Sequence, residues 1–353
     1  MKKTFTISFL TVLLACTATT VNARSWRINS DATQHADFAD LNAAMSSSDV
    51  LAGDTLYLDP GCILSDNQTV NKSVTIVGVG YYRGSAPYPI SCISSKLYLD
   101  SNGIKLEGLS MNGDYLYVGA PNVSIERCKI TSTIVIGQNS KGNNVDAKYT
   151  TIRQCYITDG KLTGKGKTSS YSSFLTMENC ILRRTNSYSV SALDGFYIPT
   201  IINNYICLKE GNSAYTHFSD VSQGIIQNNI LIKKNGDANI FQNVTGTVVE
   251  CNIMSCGSDS YPSYADDNKF GFTAESDIFA MEGTFDQLYQ LKSDSPAKGY
   301  GKDGIDCGPF GGPNPYVLNG LPAGYPYYTK ATVDSRAKDG KVNVSLKIKM
   351  QDE

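Results

Sequence analysis

The chain lacks an excess of charge of either sign. Its 353 residues include 31 Lys and Arg against 33 Asp and Glu, which gives a formal net charge of −2. A protein that binds nucleic acid usually presents a strongly basic face, so we expect no nucleic-acid partner. Histidine and tryptophan are also scarce, with His35, His217 and Trp26 as the complete set, and no Cys-x-x-Cys pair occurs. We therefore expect no metal site built from these ligands.

Long apolar runs are lacking as well, apart from a short one at the N-terminus. Lys2 and Lys3 precede the apolar residues 9–15, and a small-residue cleavage site ends at Ala23. The run is too short to span a bilayer, so residues 1–23 are predicted to be a secretory signal peptide. No other stretch is long and apolar enough for a membrane span. Without the signal peptide, 29 basic residues stand against 33 acidic ones.

The signal peptide implies an exported protein, located in the periplasm, at the cell surface or in the medium. A competing interpretation is that residues 13–16 form a lipoprotein cleavage box with Cys16 as the lipidated residue. We favour cleavage after Ala23, because no acidic or serine-rich tether follows Cys16.

The most informative feature that the chain does possess is a six-residue phrase that occurs six times. Successive copies begin 27, 25, 25, 24 and 23 residues apart. A period of this length is typical of a solenoid, in which each repeat buries its apolar face against its neighbours. The first residues of the copies are Ile125, Ile152, Met177, Ile202, Ile226 and Val249.

Each phrase alternates apolar and polar residues around a polar pair, which predicts two short strands joined at a corner. A loop and a third strand would complete one coil of an all-β solenoid, a parallel β-helix. Weaker turns at residues 55–58, 73–77 and 104–111 extend it to about nine coils, roughly 43 Å of rod. Asn tolerates the left-handed conformation that such a corner needs. We assign the third slot to the corner, with Arg127, Gln154, Asn179, Asn204 and Asn228.

The nine cysteines that follow the signal peptide do not have the spacing of a disulfide framework. Cys128, Cys155 and Cys180 hold the fourth slot, and Cys207 holds the sixth slot of the next copy. We interpret them as an inward-facing stack of buried thiols. Export would also permit disulfide bonds, although the sequence does not decide between pairings. The candidate pairs are Cys62–Cys92 and Cys251–Cys256.

Residues 24–312 are predicted to form the solenoid, whose ends expose unpaired strands and need covers. At the N-terminal end, Asp37 can cap a short helix. Phe38, Leu41 and Met45 would lie on its apolar face, and we place this helix over the first coil.

Residues 313–353 are predicted to form a small C-terminal β extension, after a turn-rich segment at 295–312. Apolar and polar residues alternate over 342–350, which indicates a half-buried strand. With residues 327–333 it would form a hairpin that turns around Asp339-Gly340. Two strands alone are marginally stable, so we expect the hairpin to pack on the rod or on a partner.

Several of these features resemble right-handed parallel β-helix proteins of the pectin-lyase-like superfamily. They are the repeated Ile-x-Asn-Asn-x-Ile phrase, the Gly53-Asp-Thr-Leu-Tyr-Leu58 opening and the Asp-Gly-Ile-Asp-Cys-Gly-Pro-Phe-Gly-Gly ending. The resemblance covers residues 24–312 and is similar in character to secreted proteins of Bacteroides-type gut bacteria. It implies a right-handed coil. The superfamily includes polysaccharide lyases, polygalacturonases, pectin esterases, phage tailspikes and non-catalytic surface proteins, so the fold does not fix the function.

The sharper signatures of the enzymes in that superfamily are absent from the sequence. Neither histidine lies in a Gly-His-Gly motif of the polygalacturonase type, and Trp26 precedes the coils, away from any Trp-Ile-Asp-His-type segment of pectate lyases. The esterase-like Gln-Asp-Thr-Leu motif is matched only in part by residues 53–56. No single enzyme type is therefore indicated.

The repeat also predicts which charged side chains are vertical neighbours. The residue two places after each phrase should stack along the rod, which puts Arg184, Lys209 and Lys233 in one basic line with Arg183 and Lys234 beside it. The loops that start there are long, and long loops on a rigid scaffold are where function usually lies. These loops contain Lys161, Lys165, Lys167, Asp194, Glu210, Tyr215, His217 and Asp220.

A basic line of this kind would suit an acidic polysaccharide or a cell-surface glycan. A uronate lyase needs a cation that neutralises the carboxylate and a base that removes the α-proton. Arg184 or Lys209 would be the neutralising cation, and Lys209 or His217 would be the base. The remaining candidates would bind substrate: Arg183, Lys233, Lys234 and Tyr215.

Two alternatives to a lyase stay open. Hydrolysis would require two carboxylates, for which Asp194 and Asp220 are the candidates. A non-catalytic, adhesin-like protein of the cell envelope would use its charged corners only to stay soluble and to present loops. In either case we expect a monomer without a cofactor. Calcium would need six or more oxygen ligands, and the nearby loop offers only the acidic pair Asp266-Asp267.

Overall fold

The computed structural model describes residues 23–82, 89–165, 171–184, 191–208, 216–233, 239–324, 326–333, 340–342 and 344–350. Within these ranges the chain winds through three parallel sheets, here called sheets I, II and III, and each coil contributes one strand to each sheet in that order. The predicted all-β fold, a right-handed parallel β-helix, is confirmed.

The strands are short because each coil turns three times. Sheet I has ten described strands: β1 Ser25–Ile28, β2 Thr55–Leu58, β5 Thr75–Val77, β8 Lys105–Glu107, β11 Ser124–Glu126, β14 Thr151–Arg153, β17 Thr176–Glu178, β20 Thr200–Ile202, β23 Ile225–Gln227 and β26 Val248–Glu250. Sheet II has nine: β3 Ile63–Leu64, β6 Cys92–Ile93, β9 Ser110–Met111, β12 Lys129–Ile130, β15 Tyr156–Thr158, β18 Ile181–Arg184, β21 Tyr205–Leu208, β24 Ile230–Lys233 and β27 Ile253–Met254. Sheet III has eight: β4 Gln68–Val70, β7 Leu97–Leu99, β10 Tyr115–Val118, β13 Thr133–Ile136, β16 Leu162–Gly164, β19 Leu193–Tyr197, β22 Phe218–Ser222 and β25 Phe241–Thr245.

Apolar residues at equal positions of successive coils stack inside the rod and form its core. The register of sheet I aligns the first residue of each phrase, and every member of this column is buried. In the fourth copy the aligned residue is Ile201, so the predicted start at Ile202 is one residue too late. Because residues 201 and 202 are both Ile, the sequence pattern allows the phrase to start at either of them, and only strand pairing decides between the two. The column consists of Ile125, Ile152, Met177, Ile201, Ile226 and Val249.

The corner between sheets I and II is made by one left-handed residue per coil. Its φ angle lies between 52° and 57° in the six phrase copies. The predicted assignment of the third slot to the corner is confirmed in four copies, but Asn204 is wrong because the fourth copy is shifted by one residue. The six corner residues are Arg127, Gln154, Asn179, Asn203, Asn228 and Cys251.

The next slot forms a buried column that changes from thiols to amides along the rod. Cys128, Cys155 and Cys180 are fully buried in the core, as predicted for an inward stack. Asparagines continue the column, and each Oδ1 accepts the backbone N–H of the column residue one coil earlier at 2.8–2.9 Å. This amide ladder links successive coils in addition to the strand pairing. Its members are Asn204, Asn229, Asn252 and Asn268.

The other cysteine predictions need correction. Cys207 holds the seventh slot: it aligns with Arg183 and Ile232 on the outer side of sheet II. None of the nine described cysteines is in a disulfide, so neither predicted pair is formed in this structure.

A short α-helix, α1 (Leu41–Ser46), packs at the N-terminal end of the core and buries Leu41 and Met45. Its N-cap is Asp40, whose side chain accepts the N–H of Ala43 at 2.7 Å. The predicted cap Asp37 is wrong, because its carboxylate accepts the backbone N–H of Arg27 instead. Six residues suffice to cover the first coil.

None of the helices in the described ranges has the length and apolar character that a membrane crossing requires.

After the last coil strand, the chain returns along the outer side of sheet II. We call residues 272–321 the strap. Its residues Phe279, Tyr289 and Tyr316 form a second apolar cluster with the outward side chains of sheet II, including Tyr205 and Ile230. The strap contains no described strand. Its 3₁₀ turns are Glu275–Asp277, Phe285–Tyr289, Lys302–Gly304 and Leu318–Gly320. Further 3₁₀ turns precede it at Ser258–Ser260 and Pro262–Tyr264, and one lies near the N-terminus at Ala32–Gln34.

The corner side chains hold the strap by its backbone. Asn179 donates from Nδ2 to the carbonyl oxygens of Pro309 and Gly311 at 2.8 and 2.7 Å. Gln154 donates to the Pro315 carbonyl at 2.6 Å, one coil nearer the N-terminus. Corner residues therefore have two functions, the turn itself and a row of docking points for the strap. The row also includes Arg127, Asn203 and Asn228, which contact Leu321, Gly311 and Lys302 respectively.

The C-terminal hairpin pairs β28 (Pro326–Val333) with β29 (Val344–Met350) in antiparallel orientation, which confirms the predicted pairing. Position 339 of the predicted turn lies outside the described residues. The expectation that the hairpin packs on the rod is not met for the four apolar side chains described at residues 342–348, which are 48–57% exposed. They are Val342, Val344, Leu346 and Ile348. The other expectation, packing on a partner, stays a prediction.

A buried carboxylate, Asp286, fixes the first part of the strap to the early coils. It accepts hydrogen bonds from the Tyr81 and Tyr316 hydroxyls at 3.1 and 3.3 Å and from the Asn319 N–H at 2.7 Å. Burial raises the pKa of Asp286, although these hydrogen bonds oppose the shift. The carboxylate joins the early coils, through Tyr81, to a segment more than two hundred residues later in the chain.

We expect Asp286→Ala to lower the free energy of unfolding by about 2–4 kcal/mol, because two buried hydroxyls and a partly buried N–H lose their shared acceptor. Chemical denaturation followed by circular dichroism measures this loss. Asp294→Ala is the matched control, since this side chain is 81% exposed and its removal should change stability by less than about 0.5 kcal/mol. Equal effects of the two substitutions would contradict the assigned role of Asp286.

Candidate functional site

An open cleft of about 490 Å³ lies where strands of sheet II end and strands of sheet III begin. It extends over four successive coils, about 14 Å at the spacing of paired strands. Because it combines amide, hydroxyl, carboxylate, cationic and aromatic groups, it is the strongest candidate site in the described part of the chain. Its lining residues are Asn112, Gly113, Asp114, Tyr115, Thr131, Thr133, Asp159, Lys161 and Arg184.

Glycine permits close packing of the coils at this corner. A Cβ atom on Gly113 would lie 2.0 Å from the Ser95 carbonyl oxygen, and one on Gly160 would lie 2.2 Å from that of Ser132. Neither position accepts a side chain without displacing a neighbouring coil. The coils therefore pack closely at these two glycines, and the side chains of Tyr115 and Lys161, which follow the glycines in the chain, line the cleft.

The register places Asp159 directly beside Arg184 on neighbouring coils. It also shows that the predicted basic line is wrong in its middle position: β18 and β24 align Arg184 and Lys233 with Leu208, not with Lys209. The error has the same origin as the misplaced start at Ile202. Lys209 itself lies outside the described residues, as do Lys234 and Tyr215.

Cations of the cleft are held close enough to influence one another. Arg184 is only 5% exposed, at the end of β18. Burial lowers the pKa of Lys161, and the positive charges of Arg184 and Lys165 lower it further, while the negative charge of Asp194 opposes them. An anion that enters the cleft would meet these two cations together with the carboxylates of Asp114 and Asp159, which also line it.

Aromatic side chains continue from the cleft onto the outer face of sheet III. Tyr115, which lines the cleft and is 39% exposed, stacks on Tyr117 with ring centroids 5.5 Å apart. Tyr117 in turn stacks on Tyr98 of the preceding coil at 4.8 Å. The stack presents flat apolar faces next to polar groups, an arrangement that suits the two sides of a sugar ring.

The predicted base His217 does not reach this cleft. Its ring is fully buried, with Nε2 3.2 Å from the carbonyl oxygen of Ile232. Burial lowers the pKa of His217 to about 4, and the charge of Lys233 contributes. The ring is therefore neutral at pH 7 and closed to a polymer, which argues against its role as the base. Lys233 is buried beside it.

Arg183 and the two predicted carboxylates also lie away from the lining of the cleft. Arg183 faces the strap, 3.3 Å from the Glu275 carboxylate and 5.0 Å above the ring of Tyr289. Asp194 and Asp220 lie on neighbouring strands of sheet III, one register position apart. Asp220 accepts a hydrogen bond from Asn243 at 3.1 Å, whereas Asp194 interacts with Lys161. The two carboxylates thus have different partners.

Several lining residues were missed in the sequence because they lie outside the clear phrases, in the turns before β10 and β13 and at the first residue of each of these strands. The alternation Tyr115-Leu-Tyr-Val118 was the available signal, directly after a turn-forming Asn-Gly-Asp. Lys161 was noticed as a loop residue, but its position beside Arg184 depends on the register. The missed set is Asn112, Asp114, Tyr115, Thr131 and Thr133.

The chemistry available in the cleft is recognition of a polar, anionic molecule. Arg184 and Lys161 can pair with carboxylate or sulfate groups, while Asp114 and Thr133 can bond to hydroxyl groups. Among the described residues, no group of three or more His, Cys, Asp or Glu side chains is arranged to hold a metal ion. No protein-family model and no curated protein matches the chain.

We expect Arg184→Gln to raise the pKa of Lys161, because it removes a neighbouring positive charge, and Asp194→Asn to lower that pKa, because it removes the opposing negative charge. A titration followed by NMR of the lysine side-chain carbons measures both shifts. The pKa of Lys302, a strap residue that pairs with Glu250 of β26, should be unchanged in both variants. Shifts of the same sign in the two variants would contradict the described geometry.

Proposed function

We propose that this chain is an exported protein of the pectin-lyase-like superfamily that binds an acidic polysaccharide in the cleft. The observation that supports this most strongly is the pair Arg184 and Lys161 in one open, polar groove, with Tyr115 at its edge. A uronate polymer has the matching features: one carboxylate per sugar, hydroxyl groups on both sides of the ring and an apolar face.

Each part of the groove would act on one of these features. Arg184 offers the planar donor pair that carboxylates bind in bidentate fashion, and Lys161 adds a second, more mobile charge. Tyr115 would stack on a sugar ring. Asn112 and Thr131 would bond to hydroxyl groups. The groove crosses four coils, so a chain of sugars running along the rod would meet several of these groups at once.

The predicted export of the protein fits the same function, because acidic polysaccharides are met outside the cytoplasm. The predicted signal peptide at residues 1–23 provides the route. A rod of stacked coils also offers a rigid platform on which binding groups keep their spacing, so little ordering is needed when a polymer binds.

β-Elimination in the same groove is a second candidate function, favoured by the lowered pKa of Lys161. A lysine with a lowered pKa is deprotonated more often at neutral pH and can act as a base. Lys161 would take the proton α to the carboxylate, and Arg184 would neutralise the enolate charge. Collapse of the enolate would form a C=C bond while the bond from the β-carbon to the glycosidic oxygen breaks, and that oxygen would take up the proton from Lys161, which leaves an unsaturated uronate. This assigns the role of base to Lys161 in place of His217.

We expect Arg184→Gln and Lys161→Gln each to weaken binding of acidic polysaccharides by about 10- to 100-fold, the effect of losing one charge-assisted contact. Calorimetry with a panel of polyuronates, sulfated glycans and neutral glycans measures this. Tyr115→Ala should weaken binding of charged and neutral chains alike. Lys298→Gln, an exposed lysine on the strap, is the matched control and should bind normally.

The same panel, followed by absorbance of unsaturated uronates, tests catalysis. Product formation that Lys161→Gln abolishes would establish the elimination. Binding without product would indicate a non-catalytic glycan-binding protein. No binding of any glycan, together with unchanged behaviour of the variants, would overturn the proposed function.

A further inference from the structure

The second part of the strap, residues 302–321, follows the row of corner residues from Asn228 to Arg127. The corners of the middle coils hold it with amide side chains, as at Asn179 and Gln154. The corner of the last phrase copy is different, because it is Cys251, with a φ of 57°. The strap residue that meets this corner is also a cysteine, Cys307.

The two cysteines are in direct contact. The Sγ atom of Cys307 lies 3.2 Å from the carbonyl oxygen of Cys251. Contacts on both sides keep this register: Lys302 forms an ion pair with Glu250 at 2.8 Å, and the N–H of Gly308 donates to the Asn228 carbonyl at 2.8 Å. The two cysteine residues are thus brought together by the docking of the strap on the coils.

An oxidant can also reach the pair of cysteines from solvent. Cys251 is partly exposed at the corner, whereas Cys307 is buried beneath it. An exchange catalyst or a small disulfide can therefore reach the Cys251 sulfur first, and the Cys307 sulfur can then complete the exchange. No such access exists for Cys128, Cys155 and Cys180, which are fully enclosed in the core.

The register argues against the two disulfide pairs that were predicted from the sequence, Cys62–Cys92 and Cys251–Cys256. Cys62 lies in the core, whereas Cys92 comes one position after Ser91, the residue aligned with Cys62, and so faces the opposite side of sheet II. Cys256 is likewise enclosed in the core and does not share the corner of Cys251.

We propose that Cys251 and Cys307 form a disulfide once the protein is in an oxidising compartment, and that this bond fastens the strap to the last corner of the rod. Both S–H bonds break and one S–S bond forms. The two electrons and two protons pass to a disulfide oxidant, such as glutathione disulfide or an oxidised exchange catalyst, which is released as two thiols. The bond closes the chain segment from 251 to 307 and so constrains the unfolded state.

The test uses the full chain without residues 1–23, purified in reduced form and then incubated with glutathione disulfide. Free thiols are alkylated, and peptides are mapped by mass spectrometry without reduction. We expect one cross-linked product that joins the Cys251 and Cys307 peptides, with the core cysteines alkylated only after unfolding. Oxidation should raise Tm by about 5 °C.

Cys251→Ser and Cys307→Ser should each abolish both the cross-link and the rise in Tm, whereas Cys92→Ser should keep both. Because Cys251 is partly exposed, its serine variant should fold even if the variant at the buried position does not. Three results would overturn the proposal: recovery of both cysteines as alkylated thiols after oxidation, a stable mixed disulfide on Cys251 with Cys307 still free, or an unchanged rise in Tm in Cys251→Ser.

Discussion

The structure depends on a single backbone constraint, the left-handed residue at which each of the six phrase copies turns from sheet I to sheet II. At this residue φ is close to 55° in all six phrase copies, and few side chains other than Asn accept it easily. The position sets the phase of everything that follows in the coil: which residues point inward, which form the buried column and which end up beside the cleft. It also directs one side chain per coil outward, and those side chains hold the strap. Turn, ladder and strap are thus consequences of one repeated conformation.

The buried column shows how the same slot can serve two kinds of packing. In the earlier coils Cys128, Cys155 and Cys180 fill it as small apolar groups. In the later coils Asn204 and Asn229 fill it with amides that bond both to the next coil and to carbonyl groups of sheet I. An amide without these partners would be costly in a core, so the ladder is stable only as a continuous set. The later part of the rod is consequently more strictly tied to its register than the earlier part.

The solenoid, its three strands per coil and the hairpin could be predicted from the sequence, because alternation and a fixed period are local signals. The exact phase could not. The doublets Ile201-Ile202 and Asn203-Asn204 satisfy the pattern in two registers, and pairing with neighbouring coils decides between them. For the same reason the predicted basic line was wrong at its middle position, where Leu208 and not Lys209 aligns with Arg184 and Lys233. The cleft was missed because it joins four coils, and the strap was missed because the corners bind its backbone, which leaves no side-chain pattern to detect.

The direction of the strap has a consequence for assembly. Residues 302–321 run back against the order in which the coils are made, from the corner Asn228, which accepts the N–H of Lys302, to Tyr81, whose N–H donates to the Asn319 carbonyl. Their docking points are complete only when every intervening corner has formed. A rod with one coil missing or slipped would present a broken row, and the strap would lose its contacts beyond the fault. Docking of the strap is therefore a length check on the finished stack, made by a segment that follows all the coils in the chain.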